Sequence, residues 1–210
     1  MTVLDNQNNK NYQNGYLIYN KDFIFKGKFL SKEPYKIAEI CFNTSMTGYQ
    51  EILTDPSYKS QFVNFTFPLI GIVGCNEEDF ESWKVQASGM ISNEVISLSS
   101  NWRSKDNFSK WLLDQNSCAF YDIDTRSLTK IIRKHGPKNV MICSEDFFDK
   151  NGLDKIINLI NRSLTLEQND VIKEFTKELN LSKVDKHKNQ LSIGFLNFGA
   201  KDNIKNNFRL

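Results

Sequence analysis

The chain has 210 residues, 40% of them hydrophobic and 12% aromatic, enough for one large core or for one core and part of a second. A net charge of +2 and an isoelectric point near 8.2 carry no basic excess, which argues against a nucleic-acid partner. No apolar run approaches the ~20 residues of a membrane span, and two histidines with four scattered cysteines leave no zinc-ligand spacing.

Residues 1–14 are Asn/Gln-rich and are expected to form a disordered tail, too polar for a secretory leader. Tyr16–Tyr19 and Phe23–Phe25 flank the turn signal Asn20-Lys21-Asp22 and predict a hairpin. Lys36–Phe42 reads as a further strand. The stretch Phe42–Tyr58 then sets five Ser/Thr hydroxyls, two carboxylates and two amides among apolar residues. A solvated linker lacks such apolar residues, so an ordered segment with polar groups aimed at a ligand is expected. Within it, Thr47–Leu53 predicts a short helix that stops at Asp55-Pro56, because a residue preceding proline is pushed out of the α region.

Gln61–Phe67 predicts a strand ending at Pro68 and the Gly71–Gly74 turn. Val85–Ile96 predicts one more, with Gly89 at a bulge or a close backbone approach. Asp106–Gln115 reads as a helix capped by Asp106, with Phe108, Trp111 and Leu112 on one face. Ala119–Ile123 is a short buried strand. Asp124 then caps a helix with Leu128, Ile131 and Ile132 inward and Gly136 just past its end. Asn139–Cys143 is a strand and Leu153–Ile160 a helix, followed by a charged linker to residue 189. Gln190–Phe198 reads as a last strand entering Gly199, with a helix opening from Lys201. A parallel unit needs a crossover and a second strand, so residues 190–210 read as the opening of a further domain. The expected class is α/β.

Several short elements admit two chemistries. Asp55-Pro56-Ser57-Tyr58 is a rigid turn, either structural only or presenting the Ser57 hydroxyl outward. Asp122-Ile123-Asp124-Thr125-Arg126 opens a helix, and helix N-termini bind anions, but its own carboxylates favour a cap with an Asp–Arg ion pair. Glu77–Glu81 lacks EF-hand spacing and reads as a solvated acidic loop rather than a metal site. Asn101-Trp102-Arg103 is either an interface anchor or a local stacking pair. Gly74-Cys75-Asn76 is the nearest approach to a nucleophile elbow, yet it lacks a second glycine and an evident histidine partner. No catalytic residue is assigned. Cys41, Cys118 and Cys143, in or beside apolar runs, read as reduced core residues, and a cytoplasmic protein is expected.

Taken together these segments resemble the small, glutamine-hydrolysing subunit of carbamoyl-phosphate synthetase. The matching residues run from Glu39 to Phe42 and through Asn43-Thr44-Ser45-Met46-Thr47-Gly48-Tyr49-Gln50-Glu51-Ile52-Leu53-Thr54-Asp55-Pro56-Ser57-Tyr58. Further matches are Pro68 with Ile70-Gly71, Glu81-Ser82, Ser100-Asn101-Trp102-Arg103, Asp122–Thr129 and Phe198-Gly199-Ala200-Lys201-Asp202-Asn203-Ile204. The resemblance is strong over about residues 15–148, thin through the linker and clear again at 193–204. It departs from the family pattern at Ala38, at Leu69 with Ile72, and at Asn197.

The resemblance implies an amino-terminal β/β/α, swivelling-type domain over 15–150, a helical linker over 151–189, and at 190–210 the truncated first strand and helix of a class I glutamine amidotransferase domain. It implies that Ser57 contacts the substrate glutamine across the domain boundary, and that the Cys–His–Glu set releasing ammonia lies beyond Leu210. It also implies a large-subunit partner that carries ATP and Mg, with no cofactor or metal on this chain. Carbamoyl phosphate for arginine and pyrimidine synthesis is the implied product. Two other readings stand beside it: a shortened docking module without glutaminase activity, and an independent hydrolase using Cys75.

Overall fold

The computed structural model describes residues 12–95, 99–169, 195 and 198–207. Nine strands are described: β1 (Tyr12–Ile18), β2 (Ile24–Leu30), β3 (Tyr35–Asn43), β4 (Gln61–Phe65), β5 (Leu69–Ile70), β6 (Gly89–Ile91), β7 (Glu94–Val95), β8 (Cys118–Tyr121) and β9 (Asn139–Ser144). The helices are α1 (Tyr49–Thr54), a 3₁₀ turn at Pro56–Tyr58, α2 (Phe108–Asp114), α3 (Thr125–His135), α4 (Glu145–Arg162) and α5 (Asp202–Asn207).

Seven strands close into a barrel in the order β1-β2-β8-β6-β4-β3-β9, while β5 and β7 pair separately in parallel. Closure removes the free sheet edges that otherwise invite pairing with other chains. One half of the barrel is antiparallel, built from β1/β2, β2/β8, β1/β9 and β3/β9. The other half, β3/β4, β4/β6 and β6/β8, is parallel. Parallel neighbours cannot be joined by a tight hairpin. Each such pair therefore forces a long connection over the outside, and the polar-rich stretch after β3 is the first of these crossovers.

Strand alternation assigns the three cores. Leu17, Phe29, Ile40, Phe62, Ile91, Phe120 and Ile142 come from all seven barrel strands and form one cluster, which only the lumen can collect. Leu128 and Ile132 of α3 join that cluster. Asn64, also fully buried, reaches from β4 to α3 by donating to Thr129 Oγ1 (2.9 Å) and Thr125 O (3.3 Å). The alternate residues Val63, Phe65, Met90 and Ala119 face outward under α1 and α2, packing on Leu53, Phe108 and Leu112. On another side, Ile18, Met141 and Cys143 pack on Ile156 and Ile160 of α4.

Several boundaries differ from expectation. β1 begins at Tyr12, so Tyr12–Asn14 belong to a paired strand rather than to a tail; residues 1–11 lie outside the described ones. Val85–Ile96 splits at Asn93 into β6 in the barrel and β7 in the small sheet. Gly89 sits at a close approach: a Cβ there would collide with Cys118 Sγ and lie 2.9 Å from its carbonyl oxygen. The cap of α2 is Asn107, whose Oδ1 accepts from Lys110 N at 3.1 Å, whereas Asp106 pairs with the Lys110 ammonium. The helix expected from Leu153 is the second half of α4, which starts at Glu145 under a Ser144 cap and kinks at Gly152. The linker from 170 and the strand expected at Gln190–Phe198 fall outside the described residues, apart from residues 195 and 198.

Glu145 ties α4 to the first hairpin. It accepts from Lys26 Nζ (2.6 Å), Asn14 Nδ2 (3.0 Å) and Tyr16 Oη (3.3 Å). The Lys26 contact, with Asn14 and Tyr16 adding, holds its carboxyl below the usual glutamate range. A carboxylate with a depressed folded pKa stabilises the fold above its unfolded value, near 4.5, and that share is lost as pH falls through the lower folded value. Glu145→Gln is therefore expected to flatten the acid limb of a stability–pH curve below about pH 4.5. Chemical denaturation at pH 3, 4 and 6 checks this, and an unchanged acid limb would refute it.

Candidate functional site

The β3–β4 crossover builds two adjoining polar sites. α1 starts after Gly48 in the left-handed region, with Ile52 N donating to Gly48 O at 2.9 Å. It ends, as the proline predicts, at Asp55. Asp55 is 4% exposed and acts as the cap of the 3₁₀ turn, its Oδ1 accepting from Ser57 N at 2.9 Å. Tyr58 N closes the turn onto Asp55 O at 3.0 Å, and Asn43 Nδ2 donates to Tyr58 Oη at 2.9 Å. Ser57 is exposed at the apex of this braced turn. Its hydroxyl is thus outward, on a backbone that cannot easily relax.

The second carboxylate oxygen of Asp55 takes Lys201 Nζ at 2.7 Å. That contact, through its hydrogen bond and charge, raises the Lys201 ammonium above the usual lysine pKa. Two residues of the 198–207 segment are therefore fixed, because Asp202 N also donates to Glu81 O at 2.9 Å. Glu81 is itself anchored by Thr54: its N–H donates to Thr54 Oγ1 at 3.0 Å, while Ser82 Oγ donates to Thr54 O at 2.6 Å. The end of α1, the Ser57 turn, the 81–82 loop and the start of α5 converge on one place. The sequence gives no hint of the Asp55–Lys201 link, since nothing local connects residues so far apart.

At the start of α1 lies a cleft of about 230 Å³, lined by Thr47, Gly48, Glu51, Val73, Asn76, Asp79, Asn101 and Arg103 among others. Tyr49 Oη accepts from Val73 N (3.1 Å) and donates to Gly74 O (2.8 Å). Gln50 exchanges two hydrogen bonds with the Asn76 backbone, at 2.6 and 3.0 Å. Arg103 Nη2 bridges Asp79 (2.7 Å) and Glu78 (3.1 Å), and Lys105 pairs with Glu77 at 3.0 Å. The acidic loop is thus organised by cations from the 103–105 segment. No group of His, Cys, Asp or Glu suited to a metal occurs among the described residues. Trp102, 91% exposed, makes no stacking pair with Arg103, whose guanidinium faces the carboxylates instead.

The other sequence candidates resolve plainly. Asp124 caps α3, accepting from Ser127 N (2.9 Å) and Ser127 Oγ (2.6 Å), which holds its carboxyl below the usual range. Arg126 makes no ion pair with it among the described residues, so the cap reading holds without the expected salt bridge. Cys75 is 2% exposed; burial pushes its thiol up to about 11, and its Sγ contacts Asp106 O at 3.3 Å. A nucleophilic cysteine needs a lowered pKa and access, and Cys75 has neither. His135 packs on Phe23 at the end of α3, and His187 lies outside the described residues. No described helix is long and apolar enough to cross a membrane.

The described residues thus form a mixed α/β barrel that presents a braced polar turn on a parallel crossover. Residues 17–142 match the family described as carbamoyl-phosphate synthase small chain, CPSase domain. The chain belongs to the carbamoyl-phosphate synthase small chain family. It is similar to the carbamoyl phosphate synthase small chain of Buchnera aphidicola subsp. Baizongia pistaciae, 37% identical over 204 residues covering 90% of this chain and 51% of that protein. The Campylobacter jejuni small chain is 34% identical over 209 residues, covering 91% and 54%. The Vibrio cholerae small chain is 42% identical over 134 residues, covering 64% and 35%. The chain thus spans between about a third and about half the length of these relatives.

Proposed function

We propose that this chain is the docking and glutamine-contacting part of a small subunit that releases ammonia from glutamine and passes it to a large subunit for carbamoyl phosphate synthesis. Ser57 is the proposed glutamine contact. The observation carrying this reading is the braced turn: Asp55 holds Ser57 N with one oxygen and the 198–207 segment, through Lys201, with the other. One buried carboxylate thereby sets the distance between an exposed hydroxyl and the segment proposed to open the glutaminase domain.

Cleavage of the amide is placed on residues other than these. Burial pushes Cys41 and Cys143 up to about 12 and Cys75 and Cys118 up to about 11, so none supplies a thiolate near neutral pH. The 210 residues alone are accordingly proposed to release no ammonia. ATP and Mg belong to the proposed large subunit, the pathway to arginine and pyrimidines, and the compartment to the cytoplasm.

Ser57→Ala in the full-length protein, assembled with its large chain, is the direct test. Glutamine-driven synthesis should lose about 1 kcal/mol of transition-state stabilisation, roughly fivefold, if one neutral hydrogen bond is removed. Ammonia-driven synthesis should be unchanged. An equal fall in both rates would point to a folding defect and remove the role assigned to Ser57.

A further inference from the structure

We propose that Asn151, exposed to attack by the kink in α4, is a site of spontaneous covalent modification. Its side-chain amide is lost as ammonia through the Gly152 nitrogen, leaving aspartate and isoaspartate at this position. This chemistry is independent of glutamine use and of any partner chain.

The chain contains two Asn-Gly pairs, Asn14-Gly15 and Asn151-Gly152. Such pairs are the most prone to amide loss, because glycine has no Cβ to shield its nitrogen or restrict its backbone. The fold treats the two pairs in opposite ways. Gly15 is buried in β1, opposite Gly27 on one side and Ser144 on the other, and a Cβ there would collide with Cys143 O. Asn14 is held at both ends of its amide, Oδ1 accepting from Lys28 Nζ (2.7 Å) and Nδ2 donating to Glu145 (3.0 Å). Bringing Asn14 Cγ onto the Gly15 nitrogen therefore requires local unpairing of the barrel.

Gly152 is exposed, with φ 72° and ψ 159°, and no atom lies within 4 Å of where its Cβ would stand. The helical ladder is already interrupted there. The half-buried Asn151 is held by one side-chain hydrogen bond, Nδ2 to Phe147 O at 2.8 Å. Opening the turn before the kink frees this amide without disturbing a strand, and such local openings precede global unfolding.

The steps balance without an oxidant or a cofactor. The Gly152 amide nitrogen gives its proton to solvent base and attacks Asn151 Cγ. A nitrogen–carbon bond closes a five-membered imide, and the Cγ–Nδ2 bond breaks as ammonia leaves with a proton from water. Water then opens the ring. Cleavage of the new bond yields aspartate, and cleavage of the original peptide bond yields isoaspartate with one additional backbone carbon. Either product replaces the donor to Phe147 O with a carboxylate, at the negative end of the first half of α4 and close in sequence to Glu145, Asp146 and Asp149. The lengthened backbone of isoaspartate also shifts the second half of the helix, whose Ile156 and Ile160 pack on Ile18, Met141 and Cys143. Modification thereby loosens α4 from the barrel.

The test ages the full-length protein at physiological temperature and mildly alkaline pH, then digests it for mass spectrometry, with isoaspartyl methyltransferase labelling as a second readout. Deamidated forms of the Asn151 peptide should accumulate at least about tenfold faster than those of the Asn14 peptide, the difference set by the openings each site needs. The rate should rise with pH, since the attacking nitrogen must lose its proton. In urea the two sites should react at comparable rates. Asn151→Gln, which would have to close a six-membered ring, should remove labelling at 151 and leave Asn14 as in wild type. Equal rates at both sites in the folded protein, an Asn151 peptide that stays unmodified, or a preference for Asn151 that persists in urea would each overturn the proposal.

Discussion

Phe62→Ala should cost about 3–5 kcal/mol of unfolding free energy, the range seen when a buried phenylalanine is truncated. Phe62 is fully buried in the lumen, on a strand held by parallel neighbours on both sides. Its ring lies 3.3 Å from where a Cβ of Gly89 would stand, so the narrow approach of β6 and the bulk of Phe62 are complementary. The surrounding wall is hydrogen-bonded around the full circumference and cannot move inward strand by strand, which places the loss toward the upper end of the range. Trp102→Ala removes a larger side chain yet should change stability by less than about 0.5 kcal/mol, because Trp102 is 91% exposed. Urea unfolding of both variants separates burial from size: the midpoint should shift for Phe62→Ala at an unchanged slope. A loss below about 1.5 kcal/mol would mean that the lumen collapses onto the gap.

What the sequence discloses is what short-range chemistry controls. The stop of α1 at Asp55-Pro56, the Asp124 cap with Gly136 at the end of α3, and the buried run of β4 follow from backbone restrictions and side-chain periodicity within a few residues. Barrel closure does not, since it depends on β9 pairing with both β1 and β3, and no local pattern encodes a partner. β6 and β7 are too short to show alternation, so the stretch reads as one strand. At the α2 start the sequence reads Asp106 as the cap, whereas the cap is its neighbour Asn107. Both residue types cap well, and only the fold assigns them, giving Asp106 to the Lys110 ammonium and Asn107 to the backbone.

The candidate site divides in the same way. Ser57 is legible as the outward residue of a proline turn, because Asp55 and Pro56 fix that turn locally. The cleft is not legible, because its walls come from α1, from the 73–79 loop and from the 101–103 loop. Parallel pairing is the physical reason that these loops meet. The β3–β4, β4–β6 and β6–β8 connections must all cross the outside of the same half of the barrel, and that half is where α1, the acidic loop and Trp102 lie. A topology chosen for strand pairing thus collects three loops on one surface, each free to carry binding chemistry.

The Asp55–Lys201 pair gives the second large effect. Lys201→Met should destabilise the attachment of the 198–207 segment by about 1.5–3 kcal/mol, the usual worth of a hydrogen bond to a charged group. The asymmetry of the pair sets this size. The Asp55 side chain is 6% exposed, so removing its cation leaves a carboxylate that water barely reaches, while Lys201 at 44% exposure regains solvation when freed. Asp55→Asn/Lys201→Met should therefore lose less than Lys201→Met alone, since the double variant leaves no buried charge behind. The pH response has a definite sign. Lys201 has a raised folded pKa, so its contribution is complete below the unfolded value near 10.5 and fades only as pH climbs through the higher folded value. Amide exchange at Asp202, whose N–H is held by Glu81 O, reports the attachment directly. It should speed up in Lys201→Met and recover part of its protection in the double variant; equal exchange in the two variants would show that Asp55 tolerates isolation, and wild-type exchange in Lys201→Met would show that the pair does not hold the segment in place.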